Sequence, residues 1–551
     1  MQIPDIKSLT LREKIAQLLV VRMSDLIMDA NSSYTKMRDP EEAAQIVEKN
    51  QFGGMWLHGG VDVNQVNECW HENVKFSARE LKAWYENVRK GVKIPMIAAD
   101  DASGKGAAYD LSSYPNGLII GASSDPDAAY KLTECIARER AFTGVDWIWS
   151  PIADLDGRKN CCIGRQYSSI PDEIIRCAIS YSKGLQSQKV ASTVKHFPGN
   201  DPSEMRDSHI VTTMMHTPLD EWWKNQGRIF QEVIDSGVDA VMSRATAWPE
   251  ADDTKIDGRY VPAGLSYKIM TEMLRNQMGF KGVVITDDVN MGGFTSFYSG
   301  GRLYAELIKA GNDVLLGVNI EAVDLIEEEV KKGILSEERI DEAVARVLEL
   351  KRKVGLFDEG YKNVDYTPEE AVALTAEMAK NLAESSATLL RDRDNLIPLS
   401  KEKTKNVAIV CYTHAEAIFG SLSAMKEEFE KYGANVKLYR RLNNFEEAQE
   451  VADNNDLIVY VGHLAFHAPK GQCSFFGDEF WALRHAFVYG VEKSIGVSTG
   501  FPHICYDFMD DSHAFVNIYS PSPEVQKAFV RGLYGEFKFV GKSPVELDGD
   551  E

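Results

Sequence analysis

Short apolar runs recur along the first 355 residues, each followed by an amphipathic helical stretch. The runs lie at 18–21, 54–57, 95–99, 145–149, 191–194, 240–243, 282–285 and 314–316. Strands that alternate with helices build a parallel sheet with the helices packed outside it, and eight such units predict a closed (β/α)₈ barrel, a TIM barrel. Between about 336 and 400 the pattern reads as helices and a linker. Ser336-Glu337-Glu338-Arg339 opens one amphipathic helix that ends at Gly355, and Thr367-Pro368-Glu369-Glu370 is a capping box that opens another, expected to run through Leu390. From 401 to 551 a second α/β unit is expected, with strands at 407–410, 436–438, 457–461 and 514–517. The predicted organisation is a catalytic barrel over 1–355, a helical linker over 356–400 and a second domain over 401–551.

In a barrel of this kind the chemistry sits at the C-terminal ends of the strands. Polar residues gather there: Asp100-Asp101 after the third run, Asp154 after the fourth, Lys195-His196 after the fifth, Arg244 after the sixth and Asp287-Asp288 after the seventh. Any one of these aspartates is an ordinary helix cap; together they converge on one rim. Asp287 stands out because it directly follows a β-branched strand that holds it rigidly at the barrel mouth. A pair of aspartates can also hold a divalent cation, although no further ligand stands at a suitable spacing.

The fifth run leads into Lys195-His196-Phe197-Pro198-Gly199 and closes on Asp207-Ser208-His209. A carboxylate two positions from an imidazole can fix the ring tautomer and stabilise its protonated form, which makes a proton-transfer dyad. By itself such a pair is more often a solvated turn.

The net charge of −22 sets the surface against nucleic acid and anionic membranes. No run approaches the ~20 apolar residues of a membrane helix, and the first residues lack the basic-then-apolar order of a secretory signal, so the expected location is cytoplasmic. Eight cysteines, with Cys161 and Cys162 adjacent and no Cys-x-x-Cys pair, fit reduced thiols.

The segment from Lys195 to Gly199, ended by Asp207-Ser208-His209, resembles the acid/base loop of glycoside hydrolase family 3 in its β-N-acetylglucosaminidase (β-N-acetylhexosaminidase) branch. The similarity extends over Leu9 to Leu19, Pro262 to Ser266, Gly279 to Gly282, Ala310 to Asp313 and, in the second unit, Ala387 to Leu399 and Gly541 to Val545. It implies an α/β sandwich for the second domain. Asp287 becomes the nucleophile, His209 with Asp207 the acid/base pair, and Asp100, Arg165, Lys195 and His196 the groups that grip sugar hydroxyls. The chain departs from the pattern at Asn200-Asp201, where the family carries His-Gly, and in a loop one residue longer than usual. A second departure runs from Asp101 to Ala108, where a second sugar-gripping arginine is missing.

The resemblance implies a retaining, exo-acting β-glycosidase that needs no cofactor or metal and whose partner is a small carbohydrate. A different sugar specificity, phosphate in place of water, a Schiff-base lyase built on Lys195 and a sugar-binding protein without turnover stay open as alternatives.

Overall fold

The computed structural model describes residues 2–28, 38–57, 76–102, 106–155, 165–361, 364–464, 474–504 and 512–547. Ser103 to Lys105, Cys161-Cys162, Ile163-Gly164 and His467 lie outside the described residues. All eight expected barrel strands form: β1 (Leu19–Arg22), β2 (Gly54–Trp56), β3 (Ile97–Asp100), β4 (Trp147–Ile148), β5 (Ala191–Phe197), β6 (Ala240–Ser243), β7 (Val283–Asp288) and β8 (Val314–Val318). They close in sequential order, and every neighbouring pair is parallel. The predicted barrel is thus the observed one.

β5 runs three residues further than its apolar pattern predicts. Lys195 and His196 stay in the strand and are buried, because the C-terminal end of the barrel supplies carboxylates for both.

The opposite end is built for stability. An aspartate stands just before each of β4, β6 and β8, and each accepts a backbone N–H from the preceding strand. Asp146 takes Ala98 at 3.2 Å, Asp239 takes Ser192 at 3.1 Å and Asp313 takes Val284 at 3.0 Å. Asp313 is also held by Arg275, Arg339 and Arg346. These buried carboxylates are paid for by charge-assisted hydrogen bonds, and together they staple alternate strand seams.

Lys351 is fully buried on the helix Glu337–Lys353, where its amine donates to Gln17 Oε1 at 2.6 Å. Burial, only partly opposed by Asp146, pushes its pKa down to about 7. Between that value and its unfolded value the unfolded chain holds a proton that the folded chain lacks, so stability rises with pH; below about 7 the full penalty stands. In Lys351→Met this contribution is absent. The stability of wild type relative to the variant is therefore expected to climb by about 1.4 kcal/mol per pH unit from just above pH 7 to pH 9.5. Paired denaturant titrations check this, and a flat difference would refute it.

The second domain is a six-stranded mixed sheet. Its strands are β9 (Thr388–Asp392), β10 (Asn406–Thr413), β11 (Asn435–Tyr439), β12 (Leu457–His463), β13 (Ser494–Ser498) and β14 (Ala514–Asn517), in the order β9-β14-β13-β12-β10-β11. Only β9 is antiparallel to its neighbour. Two of these strands were not expected. β13 reads Ser-Ile-Gly-Val-Ser, with too few apolar residues to signal a strand, yet it is wholly buried between β12 and β14. The helix expected to reach Leu390 ends at Ser386, because Thr388 to Asp392 pair with β14 more than a hundred residues away.

Backbone bonds join the barrel to the linker helix and the second domain: Ser124 N–H to Ser385 O at 3.0 Å, Lys542 N–H to Ala122 O at 3.0 Å and Ser169 N–H to Pro544 O at 3.1 Å. Gly121 permits this seam, since a Cβ there would lie 1.9 Å from the Tyr167 carbonyl oxygen and 3.1 Å from Pro544 Cβ. Among the described residues no helix is long and apolar enough to cross a membrane.

Candidate active site

β7 delivers Asp287 to the C-terminal rim after four buried residues, Val283 to Thr286. The Asp288 N–H donates to Asp287 Oδ1 at 2.9 Å. Asp288 itself turns away, its carboxylate closed by Arg22 and Asn290. Among the described residues no group of three or more His, Cys, Asp and Glu could hold a metal ion.

β5 supplies the next two groups. Lys195, almost fully buried, donates to Asp101 Oδ1 at 2.7 Å. Burial lowers the pKa of its amine, and the charge of Asp101 only partly restores it. Burial alone would raise Asp101; the charges of Lys195 and Arg165 outweigh it and hold the carboxyl below its usual range. Arg165 also acts on Lys195, as does the negative charge of Asp287. Asp287, Lys195, Asp101 and Arg165 are therefore one electrostatic cluster.

His196 is fixed from the other side. Its Nδ1 is 2.7 Å from Asp154 Oδ2, its backbone N–H reaches Asp154 Oδ1 at 3.3 Å, and Arg244 Nη1 donates to the same Oδ2 at 3.0 Å. Burial works against the Asp154 charge, but Arg244 and His196 overcome it and keep the carboxylate well below its usual range. With Nδ1 engaged, the ring presents Nε2.

Asp100, expected to read sugar hydroxyls, is not part of this cluster. It is fully buried, and its Oδ2 takes the Tyr114 hydroxyl at 3.0 Å and the Ala107 N–H at 3.2 Å, with Arg140 Nε 3.4 Å away. Arg140 lies on the helix Ala128–Phe142, outside the barrel. β3 ends at Asp100, and Asp101 lies just past the strand. Of the two adjacent aspartates, it is Asp101 that bonds Lys195. Replacing Asp100 by Asn leaves Arg140 with less compensation in a buried setting and is expected to cost ~3 kcal/mol of stability, read as a lower melting temperature.

Asp207 and His209 are hydrogen-bonded to each other. His209 Nδ1 is 2.7 Å from Asp207 Oδ1, with Asp207 buried and the imidazole half exposed. Asn200 and Asp201 brace the base of this loop: Asn200 Nδ2 donates to Leu155 O at 3.0 Å, while Asp201 accepts from Ser203 N–H at 2.8 Å and His216 N–H at 2.9 Å. The dyad end is tied to the turn after β7 by Gly292 N–H to His209 O at 2.8 Å and Gly293 N–H to Ser208 O at 3.2 Å. The segment that follows the Asp287 strand thus also holds the loop of His209.

In the second domain His463 is buried, with Nδ1 2.9 Å from Thr499 Oγ1, and burial pushes its pKa down to about 4. It is a neutral interior histidine. The site groups that sequence reasoning left unassigned are Asp101, Asp154 and Arg244. Their position at strand ends was visible; which side chain faced inward was not.

Fold and site together define a (β/α)₈-barrel enzyme with a second α/β domain and a carboxylate-rich rim. Residues 10–350 match the glycosyl hydrolase family 3 N terminal domain, and the chain belongs to that family of hydrolases. A β-N-acetylglucosaminidase/β-glucosidase of Cellulomonas fimi is 23% identical over 85% of this chain and 87% of its own. A β-hexosaminidase of Stenotrophomonas maltophilia is 34% identical over 42% of this chain and 68% of its own. Among solved structures, the β-glucoside phosphorylase BglX bound to 2FGlc is 25% identical with a TM-score of 0.82, covering 98% of this chain and 95% of the other. A family 3 β-N-acetylglucosaminidase from Paenibacillus sp. shares the fold over 98% of this chain and 99% of its own, with 23% identity and a TM-score of 0.77.

Proposed function

We propose that the protein is a retaining, exo-acting β-glycosidase that removes terminal β-linked N-acetylglucosamine or a related N-acetylhexosamine from a small carbohydrate. The observation that carries this reading is the 2.7 Å Asp207–His209 dyad on a loop bonded to the turn that follows the Asp287 strand.

Asp287 Oδ1 is occupied by a backbone N–H, so Oδ2 attacks the anomeric carbon as the bond to the leaving oxygen breaks. His209, held through Nδ1, gives its Nε2 proton to that oxygen. In the second step it takes a proton from water as the water oxygen displaces Asp287, and two inversions give net retention. Asp207 orients the ring and stabilises the imidazolium. Lys195, Arg165, His196 and Asp101, the last in the place first expected of Asp100, bind the sugar hydroxyls. Loss of one charged hydroxyl contact typically costs one to two powers of ten in binding, so Asp101→Asn is expected to raise KM roughly 10-fold to 100-fold while the fold stays intact.

A second reading has a specific support: the β-glucoside phosphorylase structure matches this chain over almost its whole length. A neutral imidazole base repels a phosphate dianion less than a carboxylate base does, so phosphate can act as the second-step acceptor. A panel of nitrophenyl β-glycosides, assayed with and without phosphate, decides between the readings. Preference for the N-acetylglucosaminide without phosphate dependence supports hydrolysis. Preference for the glucoside, with a glycosyl phosphate as product, supports phosphorolysis. No cleavage of any member refutes both.

A further inference from the structure

We propose that Arg22 and Asp288 are positioning residues that set the direction of the Asp287 carboxylate. The inference rests on the reading of Asp287 as the nucleophile. Arg22 ends β1, the first barrel strand, and pairs through Nη2 with Asp288 Oδ2. The other oxygen, Asp288 Oδ1, accepts from the Asn290 backbone N–H at 2.9 Å and from Asn290 Nδ2 at 3.0 Å; Asn290 Nδ2 also donates to Gly317 O on β8 at 2.7 Å. One carboxylate thus clasps the C-terminal ends of β1, β7 and β8.

These ends need holding. β7 slips its register against β8 between Ile285 and Asp288, and β1 slips against β8 between Val20 and Val21, so the regular ladder does not by itself determine where the last residues of β7 point. The link to the nucleophile is a single peptide group: the N–H that donates to Asp287 Oδ1 belongs to Asp288. If the Asp288 side chain is released, that peptide can rotate, and the attacking oxygen rotates with it. β8 accommodates the clasp at Gly317, which has φ +77°; a Cβ there would lie 2.7 Å from Asp288 Oδ1 and 3.1 Å from Arg22 Nη2. Arg22, on the first barrel strand, is thus linked to the nucleophile through Asp288.

The test uses the full chain and the best nitrophenyl β-glycoside of the panel, with Arg22→Gln, Asp288→Asn, Arg22→Lys and Asp287→Gly compared with wild type. A misdirected nucleophile slows the chemical step without weakening sugar binding. Arg22→Gln and Asp288→Asn are therefore expected to lower kcat roughly 10²-fold with little change in KM, and Arg22→Lys to recover most of the loss. Labelling of Asp287 by an activated fluoroglycoside should slow by the same factor. Gly317→Ala crowds the clasp without deleting either charge and should give the same kcat-selective loss. Wild-type kcat in both Arg22→Gln and Asp288→Asn, or losses confined to KM, overturns the clasp and leaves Asp287 as nucleophile, provided Asp287→Gly is inactive. Full turnover in Asp287→Gly removes the nucleophile reading and the clasp together.

Discussion

Asp287→Ala is expected to abolish turnover on every β-glycoside, good and poor leaving groups alike, by on the order of 10⁴-fold or more. In the proposed mechanism the loss is uniform because the carboxylate takes part in both steps: its Oδ2 forms the covalent bond, and it is the group displaced in the second step. Wild-type protein stopped with a slow fluoroglycoside should carry the sugar as an ester on Asp287, located by peptide mass analysis. Azide added to the variant can enter the space left by the carboxylate and attack from the same face, giving a glycosyl azide of inverted configuration. A sugar ester on any other residue, or undiminished turnover in the variant, excludes Asp287. An imine trapped on Lys195 by borohydride would point instead to the lyase chemistry open to a buried lysine with a lowered pKa.

His209→Ala is expected to divide substrates by their leaving groups. General acid catalysis contributes roughly 10²-fold to 10⁴-fold when the departing oxygen is a poor leaving group, and little when it is a nitrophenolate that leaves without a proton. A disaccharide should therefore lose orders of magnitude in kcat/KM, while the first step on a nitrophenyl glycoside stays within roughly tenfold of wild type. The second step still needs a base to activate water, so the glycosyl-enzyme should accumulate and give a burst of nitrophenol. Asp207→Asn retains the hydrogen bond to Nδ1 at 2.7 Å only in altered form and removes the charge behind the imidazolium, so it should follow the same pattern more mildly. Equal losses on both substrate types would count against His209 as the acid.

The barrel was legible because its eight apolar runs are local signals, each long enough to record a buried strand between helices. The Asp207–His209 dyad was legible for the same reason, since two residues two positions apart can bond without help from the rest of the chain. β13 was not: Ser-Ile-Gly-Val-Ser carries almost no apolar signal, and only its place between two other strands makes it a strand. β9 was read as the end of a helix because its partner, β14, lies more than a hundred residues away.

The sequence by itself determined which residue types stand at the ends of the barrel strands, and therefore that a carboxylate, a His/Asp pair and a lysine–histidine pair were available at one rim. The tertiary structure decided which of them face one another. Asp100 and Asp101 are indistinguishable in a one-dimensional reading. In the fold Asp100, the last residue of β3, lies beside Arg140 and Asp101, just past it, bonds Lys195, partners that only the folded chain brings beside them. The pairing of Arg22 with Asp288 was equally invisible, since it exists only where barrel closure brings the first strand beside the last ones.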